Sequence, residues 1–504
     1  MPRPPSRAPQ PTSRGTRSPD RRPLLLAHSY YLRYDEKQTR KMKPYAPLGT
    51  LVTAALARER GFEVELFDAM LAPGVEAFEE KLDRVRPDIV GILEDNFNFL
   101  TKMCTLRMRR AALDMIVAAR ARGCRVVVNG SDAIDHPEVY LDAGADAVIM
   151  GEVEAAFLDV VDAWTADHDA TLYEVPGLAL EGTNRKQLRS LGANGTIDAP
   201  GIHKTAVRPR LEDLDALPFP AWDLVDIEQY RAAWVDAHGR LSWGMVTSRG
   251  CPYGCNWCAK PVFGRRYAQR RAVSVAEELR LLRERVAPDH VWFADDIFGL
   301  TPDWIDEFAR EVTARGARTP FMMQSRANLM TPRAVDALHE AGAEEVWLGV
   351  ESGSQRILDA MDKSTDIEQI RQATRALKAR AIRVCWFIQL GYLGEGREDL
   401  EMTRELILAE RPDEIGVSVS YPLPGTPFYE TVRSQLDGRR NWEETDSLEM
   451  LFQGTYTTDF YRRVRDVLHA DVDAYRVGAE PLDARWAELW AEEAGHRNRA
   501  AIGA

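Results

Sequence analysis

The sequence is short of cysteine, of positive charge and of long apolar runs, and each shortage excludes something. Six cysteines spread unevenly over 504 residues do not make a disulfide framework, and they fit a reducing, cytoplasmic setting. A formal charge of −13 leaves the surface without a general attraction for phosphate backbones, so no nucleic-acid partner is expected. No apolar stretch approaches the length of a membrane span, and no membrane partner is expected either. Residues Met1 to Arg22 hold six arginines among Pro and Ser without the apolar core of a secretory signal; they read as a disordered basic tail over 1–22. The G-x-G-x-x-G dinucleotide fingerprint is missing too.

What is present is a strong alternation of strand and helix patterns over 23–166. The apolar runs Leu24 to Ala27, Val64 to Phe67, Ile89 to Leu93, Arg125 to Val128 and Ala147 to Met150 are separated by helical periods at crossover spacing. This predicts an α/β domain with a parallel, doubly wound sheet. In such sheets ligands sit beyond the carboxyl ends of the strands. Those ends carry His28, Asp68, Asn96, Asn129-Gly130-Ser131 and Gly151-Glu152, with glycines that let a ligand approach the backbone. His136, at the start of a helix in Asp135-His136-Pro137, reads as a capping or surface residue.

Between 167 and 240 the pattern loosens and reads as a linker, with Leu217-Pro218-Phe219-Pro220-Ala221-Trp222-Asp223-Leu224 as an extended, proline-pinned connector. From 241 to 435 six further strand–helix units follow, beginning at Trp243, His290, Phe321, Glu345, Val384 and Glu414. Each ends in polar or glycine-rich residues, which is the arrangement of a partial (β/α)6 TIM barrel with its chemistry on the top face. The remainder, 436–504, reads as a helical, charged segment in which Trp442, Trp486 and Trp490 serve as packing anchors. Cys385 reads as a buried structural thiol, and Cys104 and Cys124 likewise.

Half of the cysteines fall in one loop, Ser248-Arg249-Gly250-Cys251-Pro252-Tyr253-Gly254-Cys255-Asn256-Trp257-Cys258, directly after the first barrel strand. Three thiolates at this spacing can ligate a metal centre. A closed zinc site or a four-cysteine cluster would need a fourth ligand, and His238 and His290 are the nearest candidates outside the loop. The alternatives are a zinc knuckle with a remote ligand, or a cluster with one iron open to a small molecule.

The loop resembles the signature of the radical S-adenosylmethionine (SAM) superfamily, including Trp257 before the last cysteine. The resemblance implies a [4Fe-4S] cluster on Cys251, Cys255 and Cys258, with SAM on the open iron and reductive cleavage to a 5'-deoxyadenosyl radical. It also implies SAM contacts from Asp295 and Asp296 after the second barrel strand, where the usual glycine pair is absent. Further contacts come from Glu351 and Ser352 after the fourth and from Gly391 and Gly394 after the fifth. Arg326, after the third, offers a guanidinium fork for the SAM carboxylate.

Tyr45-Ala46-Pro47-Leu48-Gly49, Asn129-Gly130-Ser131 and Asp146-Ala147-Val148-Ile149-Met150-Gly151-Glu152 are similar to the cobalamin-binding domain that precedes many radical SAM cores. The D-x-H-x-x-G motif that supplies a histidine under cobalt is absent, so no such histidine is expected. Together these resemblances imply a cobalamin-dependent radical SAM methyltransferase acting on an unactivated carbon of a small molecule, or rearranging or cyclising it. A flavodoxin or ferredoxin is the implied electron donor. A methylthiotransferase-like enzyme without cobalamin and a non-catalytic cofactor-binding sensor are the alternatives.

Overall fold

The computed structural model describes residues 22–94, 105–166, 169–182, 195–196, 201–258, 263–436 and 449–498. The expectations for the tail 1–21, Asn96, Cys104 and Trp442 lie outside the described residues. Among the described residues no helix is long and apolar enough to cross a membrane.

The first domain is an eight-stranded sheet of order β2-β1-β3-β4-β5-β6-β8-β7. Its parallel part comprises β1 (Leu24–Ala27), β2 (Val64–Phe67), β3 (Ile89–Leu93), β4 (Arg125–Asn129) and β5 (Ala147–Ile149). Leu24 to Ala27 and Ile89 to Leu93 are buried at every position, as strands covered on both faces must be. The order 2-1-3-4-5 reverses direction between β1 and β3, and that reversal opens a crevice.

The segment 167–240 departs from the linker expected of it. β6 (Leu178–Glu181), β7 (Gly195–Thr196) and β8 (Ile202–Thr205) pair antiparallel and extend the sheet beyond β5. The helix Ile227–His238 then joins the domains. On it Tyr230 donates to Asp68 Oδ2 (2.8 Å), and Trp234 donates to the Pro44 carbonyl (2.8 Å). The proline connector is also packed: Trp222 is buried, and the Ala221 amide donates to the Leu51 carbonyl.

The second domain is a partial barrel of six parallel strands in the order β16-β15-β14-β13-β12-β9. These are β9 (Ser242–Met245), β12 (His290–Phe293), β13 (Phe321–Ser325), β14 (Ala343–Glu351), β15 (Arg383–Leu390) and β16 (Glu414–Val419). A separate two-residue ribbon pairs β10 (Ser248–Arg249) with β11 (Ala268–Gln269). The apolar core on the side of the first sheet that carries the helices Leu48–Glu59 and Val153–Thr165 runs on into the barrel core as one cluster. The helices Val75–Val85 and Leu106–Ala121 cover the other side over a separate cluster. The two domains therefore share buried apolar surface rather than touching at a polar seam.

The helices Thr458–Arg476 and Asp483–Ala491 close the chain over the barrel. Trp486 is buried and donates to Asp471 Oδ2 (2.8 Å), while the Arg404 guanidinium covers its ring and Arg397 covers that of Trp490. Cys385 and Cys124 are buried free thiols, and burial pushes both upward from the usual thiol range.

Candidate active site

The three-cysteine loop leaves the top of β9 and is closed at its base by the β10–β11 ribbon, where Ser248 pairs with Gln269 and Arg249 with Ala268. Gly250 turns the chain out of that ribbon with φ +78°. A Cβ there would collide with the Arg266 carbonyl oxygen, so only glycine fits. The next amide, Cys251 N, donates to the Gly264 carbonyl (3.3 Å). Cys255 is buried, Cys251 and Cys258 are partly exposed, and all three are free thiols.

Asn256 ties the middle of the loop to the barrel top. Its side chain donates to the Ala360 carbonyl (2.8 Å) and Asp362 Oδ2 (3.1 Å) and accepts from the Tyr392 hydroxyl (2.8 Å). Its backbone bonds the Met361 carbonyl and the Phe428 amide.

Asp295 holds the stem. Its Oδ1 accepts from Thr247 N (2.8 Å), Thr247 Oγ1 (3.1 Å), Ser248 N (2.5 Å) and Ser248 Oγ (2.6 Å). Burial pushes this carboxyl up to about 7, against four hydrogen bonds that favour the ionised form. Asp295, expected as a SAM contact, thus braces the cluster loop through Oδ1, while its Oδ2 is buried with no hydrogen-bond partner among the described residues; Asp296, beside it, is partly exposed.

Arg326 also differs from expectation. Its guanidinium donates to the Lys363 and Ser364 carbonyls and to Thr365 Oγ1, and Nε donates to Asn328 Oδ1. Nη1 lies 3.5 Å from Cys255 Sγ, and the group covers the Tyr253 ring at 3.8 Å. Nη2 and Nε are thus taken up by protein acceptors. The guanidinium does bring positive charge to a sulfur that is negative when it binds iron.

The other top-face residues are held by protein partners. Glu351 has φ +66° and forms a buried ion pair with Lys363 (2.7 Å). Ser352 Oγ accepts from Ser354 N (3.1 Å) and lies 3.3 Å from Thr403 Oγ1. Gly391 and Gly394 take φ of +77° and +78° in a tight turn. There the Gly391 amide donates to Glu395 Oε2 (2.6 Å), and burial pushes the Glu395 carboxyl up to about 8. Met450, from the C-terminal segment, fills the space beside Gly391.

Lys363 went unnoticed in the sequence. A buried lysine twelve residues after its partner has no local pattern to betray it. The signal that could have pointed to it is Gly349, where a Cβ would press on both Lys363 Nζ and Glu351 Oε1.

In the first domain, a cleft lies at the β1/β3 reversal, lined by Ser29, Glu94, Met108, Asn129, Gly130 and Ser131 among others. Asn129 staples the ends of β4 and β5 by donating to the Ile149 (2.9 Å) and Gly151 (3.0 Å) carbonyls. Glu94 Oε1 accepts from Ser29 N (2.7 Å) and Ser29 Oγ (2.5 Å). Gly130 has no room for a side chain against Glu94, so bare backbone faces the cleft.

Among the described residues no histidine lines that cleft. His28 is buried 2.8 Å from Asp68 Oδ1 and 3.0 Å from Ala69 N. His136 is buried at the start of the helix Pro137–Asp142 without a capping bond, not on the surface. Glu152 faces away from the cleft: Oε1 lies 3.2 Å from Arg249 Nη1, and Oε2 accepts from Leu211 N (2.6 Å).

These donors fit the cofactors that the two sites imply. Among the described residues no three His, Cys, Asp or Glu side chains converge to hold one metal ion. Cubane ligation does not require such convergence, because each thiolate binds a different iron. The Trp257 Nε1 donor, next to Cys258, is buried with no hydrogen-bond partner among the described residues, as a donor awaiting a ligand would be. The cleft offers a bare backbone rim beyond the carboxyl ends of the strands, where ligands of such sheets sit.

The fold and sites define a two-domain cofactor enzyme: a doubly wound domain with a switch-point cleft, joined to a partial barrel that opens in a three-cysteine loop. Residues 245–407 match the radical SAM superfamily, and residues 43–161 match the B12 binding domain. The chain is 24% identical over 412 residues to an uncharacterised methyltransferase of Pyrococcus horikoshii, covering 80% of this chain and 82% of that one. It is 25% identical over 409 residues to the hopanoid C-3 methylase of Methylococcus capsulatus, covering 78% and 70%. With the anaerobic magnesium-protoporphyrin IX monomethyl ester cyclase of Cereibacter sphaeroides it shares 25% identity over 369 residues, covering 72% of this chain but only 56% of that one.

Among solved structures, the fold resembles the radical SAM methyltransferase TsrM of Kitasatospora setae with cobalamin and a [4Fe-4S] cluster bound. That match has a TM-score of 0.65 and 18% identity, and covers 84% and 79% of the two chains. It also resembles the cobalamin-dependent SAM radical enzyme OxsB (TM-score 0.68, 17% identity, 94% and 71% covered). The chain carries a radical SAM domain and a B12 binding domain, whose cofactors are a [4Fe-4S] cluster, SAM and cobalamin.

Proposed function

We propose that this protein methylates an unactivated carbon of a small molecule. The observation that supports the reading best is the pairing of two sites on one frame: the three-cysteine loop braced by Asp295, Asn256 and Arg326, and a cleft with a bare backbone rim at the switch point of the first sheet. When bound, the cluster supplies the electron that cleaves SAM reductively, and cobalamin supplies the methyl group. The chain's own part is to hold geometry. Asp295 fixes the stem of the loop, Gly250 turns it, and Arg326 brings charge to Cys255. Asn129 staples the β4 and β5 ends, and Gly130 keeps the cleft rim bare.

Trp257 Nε1, Asp296 and the backbone around Ser352, Gly391 and Gly394 would hold SAM, while Glu351 would act through its pair with Lys363. A flavodoxin or ferredoxin would supply the electron, and cysteines outside disulfides fit a reducing, cytoplasmic setting. Cyclisation, the reaction that one relative's name describes, is the other outcome of the same two sites.

The test is anaerobic purification with hydroxocobalamin supplied, followed by iron, sulfide and cobalt analysis, beside a Cys251→Ala, Cys255→Ala, Cys258→Ala variant. Roughly four irons and about one cobalt per chain are expected, with the iron lost in the variant. Zinc in place of iron would overturn the mechanism, and iron without cobalt would overturn methylation through cobalamin. Release of 5'-deoxyadenosine from SAM under reducing conditions separates an enzyme from a sensor.

A further inference from the structure

Two residues before Cys251, the Arg249 side chain passes out of the barrel and into the first domain. It is buried, with 5% of its surface exposed. Its Nη2 donates to Glu154 Oε1 (2.5 Å), and Nη1 lies 3.2 Å from both Glu154 Oε2 and Glu152 Oε1. Glu152 follows Gly151 in the loop beyond β5, and Glu154 opens the helix Val153–Thr165. The Leu211 amide fills Glu152 Oε2, and the Phe263 ring lies 5.2 Å from the guanidinium. Among the described residues one cation thus meets two anions, and the Leu211 amide and the start of the helix Val153–Thr165 also face the negative charge.

From these contacts we propose that Arg249 is a positioning residue that sets the geometry between the cluster loop and the cobalamin-side loop. The inference rests on the function proposed above. Burying such a group costs desolvation that its ion pairs barely recover, and an apolar packing of equal volume would hold two domains together at least as well. An apolar contact slides, however, whereas a guanidinium forked across two carboxylates fixes direction as well as distance. The fork sits where that matters. One glycine, whose backbone admits no side chain, separates Arg249 from the first cluster ligand, and Glu152 directly follows Gly151, whose carbonyl Asn129 holds at the edge of the cleft. Any tilt between the domains therefore reaches both cofactor sites through very short lengths of chain.

The experiment uses the full chain with Arg249→Met, Arg249→Lys, and a triple variant, Arg249→Met with Glu152→Gln and Glu154→Gln. The triple variant removes the unpaired buried charges and so guards against failure to fold. With both cofactors bound, pulsed EPR reads the dipolar coupling between the reduced cluster and cob(II)alamin. The wild type should give one narrow distance. The triple variant should give a broadened or shifted distribution at an unchanged unfolding temperature, and Arg249→Lys should fall between them. In cofactor-free protein, hydrogen exchange over 247–251 and 151–155 should rise about tenfold or more in the triple variant while the strands elsewhere stay protected.

Equal distance distributions in wild type and triple variant, or unchanged exchange in both segments, would overturn the proposal. Absence of cobalt from the wild type would instead strike at the proposed function, and the exchange arm would still decide whether Arg249 fixes the two loops.

Discussion

Asp295 offers the sharpest test of how the cluster loop is built. In Asp295→Ala the Thr247 and Ser248 amides lose their acceptor inside the protein, as do two hydroxyls. The hydroxyls can rotate, and Ser248 Oγ already lies 3.3 Å from the Ile297 carbonyl. The amides cannot. Each orphaned buried amide costs about 1–3 kcal/mol, so the loop stem should weaken by about 2–6 kcal/mol. Read by hydrogen exchange, that is about thirtyfold or more faster exchange at 247 and 248, since about 1.4 kcal/mol is a factor of ten. Iron uptake in anaerobic reconstitution should fall with it, because Cys251 lies three residues beyond Ser248. Asp295→Asn keeps a carbonyl at Oδ1 and should recover most of both signals. An Asp295→Ala protein that protects these amides and binds as much iron as the wild type would refute the brace.

Burial raises the carboxyls of Asp295 to about 7 and Glu395 to about 8. The folded chain therefore holds protons that the unfolded chain releases near pH 4. Their contribution to stability is complete below about pH 4 and is lost as the pH rises toward those values, by up to about 1.4 kcal/mol per pH unit per group. Urea unfolding of the cofactor-free protein at pH 5 and pH 8 should show this loss, and Glu395→Gln should flatten part of it. Gly250→Ala should abolish cluster assembly measured as iron per chain, since its Cβ meets backbone rather than a movable side chain. Glu351→Ala should cost about 3–5 kcal/mol in unfolding free energy by leaving Lys363 buried and unpaired, whereas Glu351→Gln with Lys363→Met should restore most of it.

Much of this architecture is legible in the sequence because its strands are short, apolar and evenly spaced. Ile89–Leu93 and Leu24–Ala27 can be read residue by residue, being buried on both faces and bounded by polar turns. The strands Leu178–Glu181 and Ile202–Thr205 could not, because they lie among Gly, Pro and Asn and depend on the β5 edge to pair. The cysteine loop announces itself by composition.

The partners of the top-face residues do not announce themselves. Polar groups at strand ends read as ligand contacts, yet Asp295, Arg326 and Ser352 find protein partners between 37 and 51 residues away in sequence. Only tertiary contact reveals such pairings. Glu152 shows the same limit across domains, since its arginine lies 97 residues on.

The bonds of Asn256 bear on when the protein can acquire its cluster. The loop's middle residue is held by atoms of Ala360, Asp362, Tyr392 and Phe428, all synthesised more than a hundred residues after it. A nascent chain that has just exposed its three cysteines lacks all four of these partners. These bonds are complete only once translation has passed residue 428, so a chain cut short before that point would carry the cysteines without the contacts that hold Asn256.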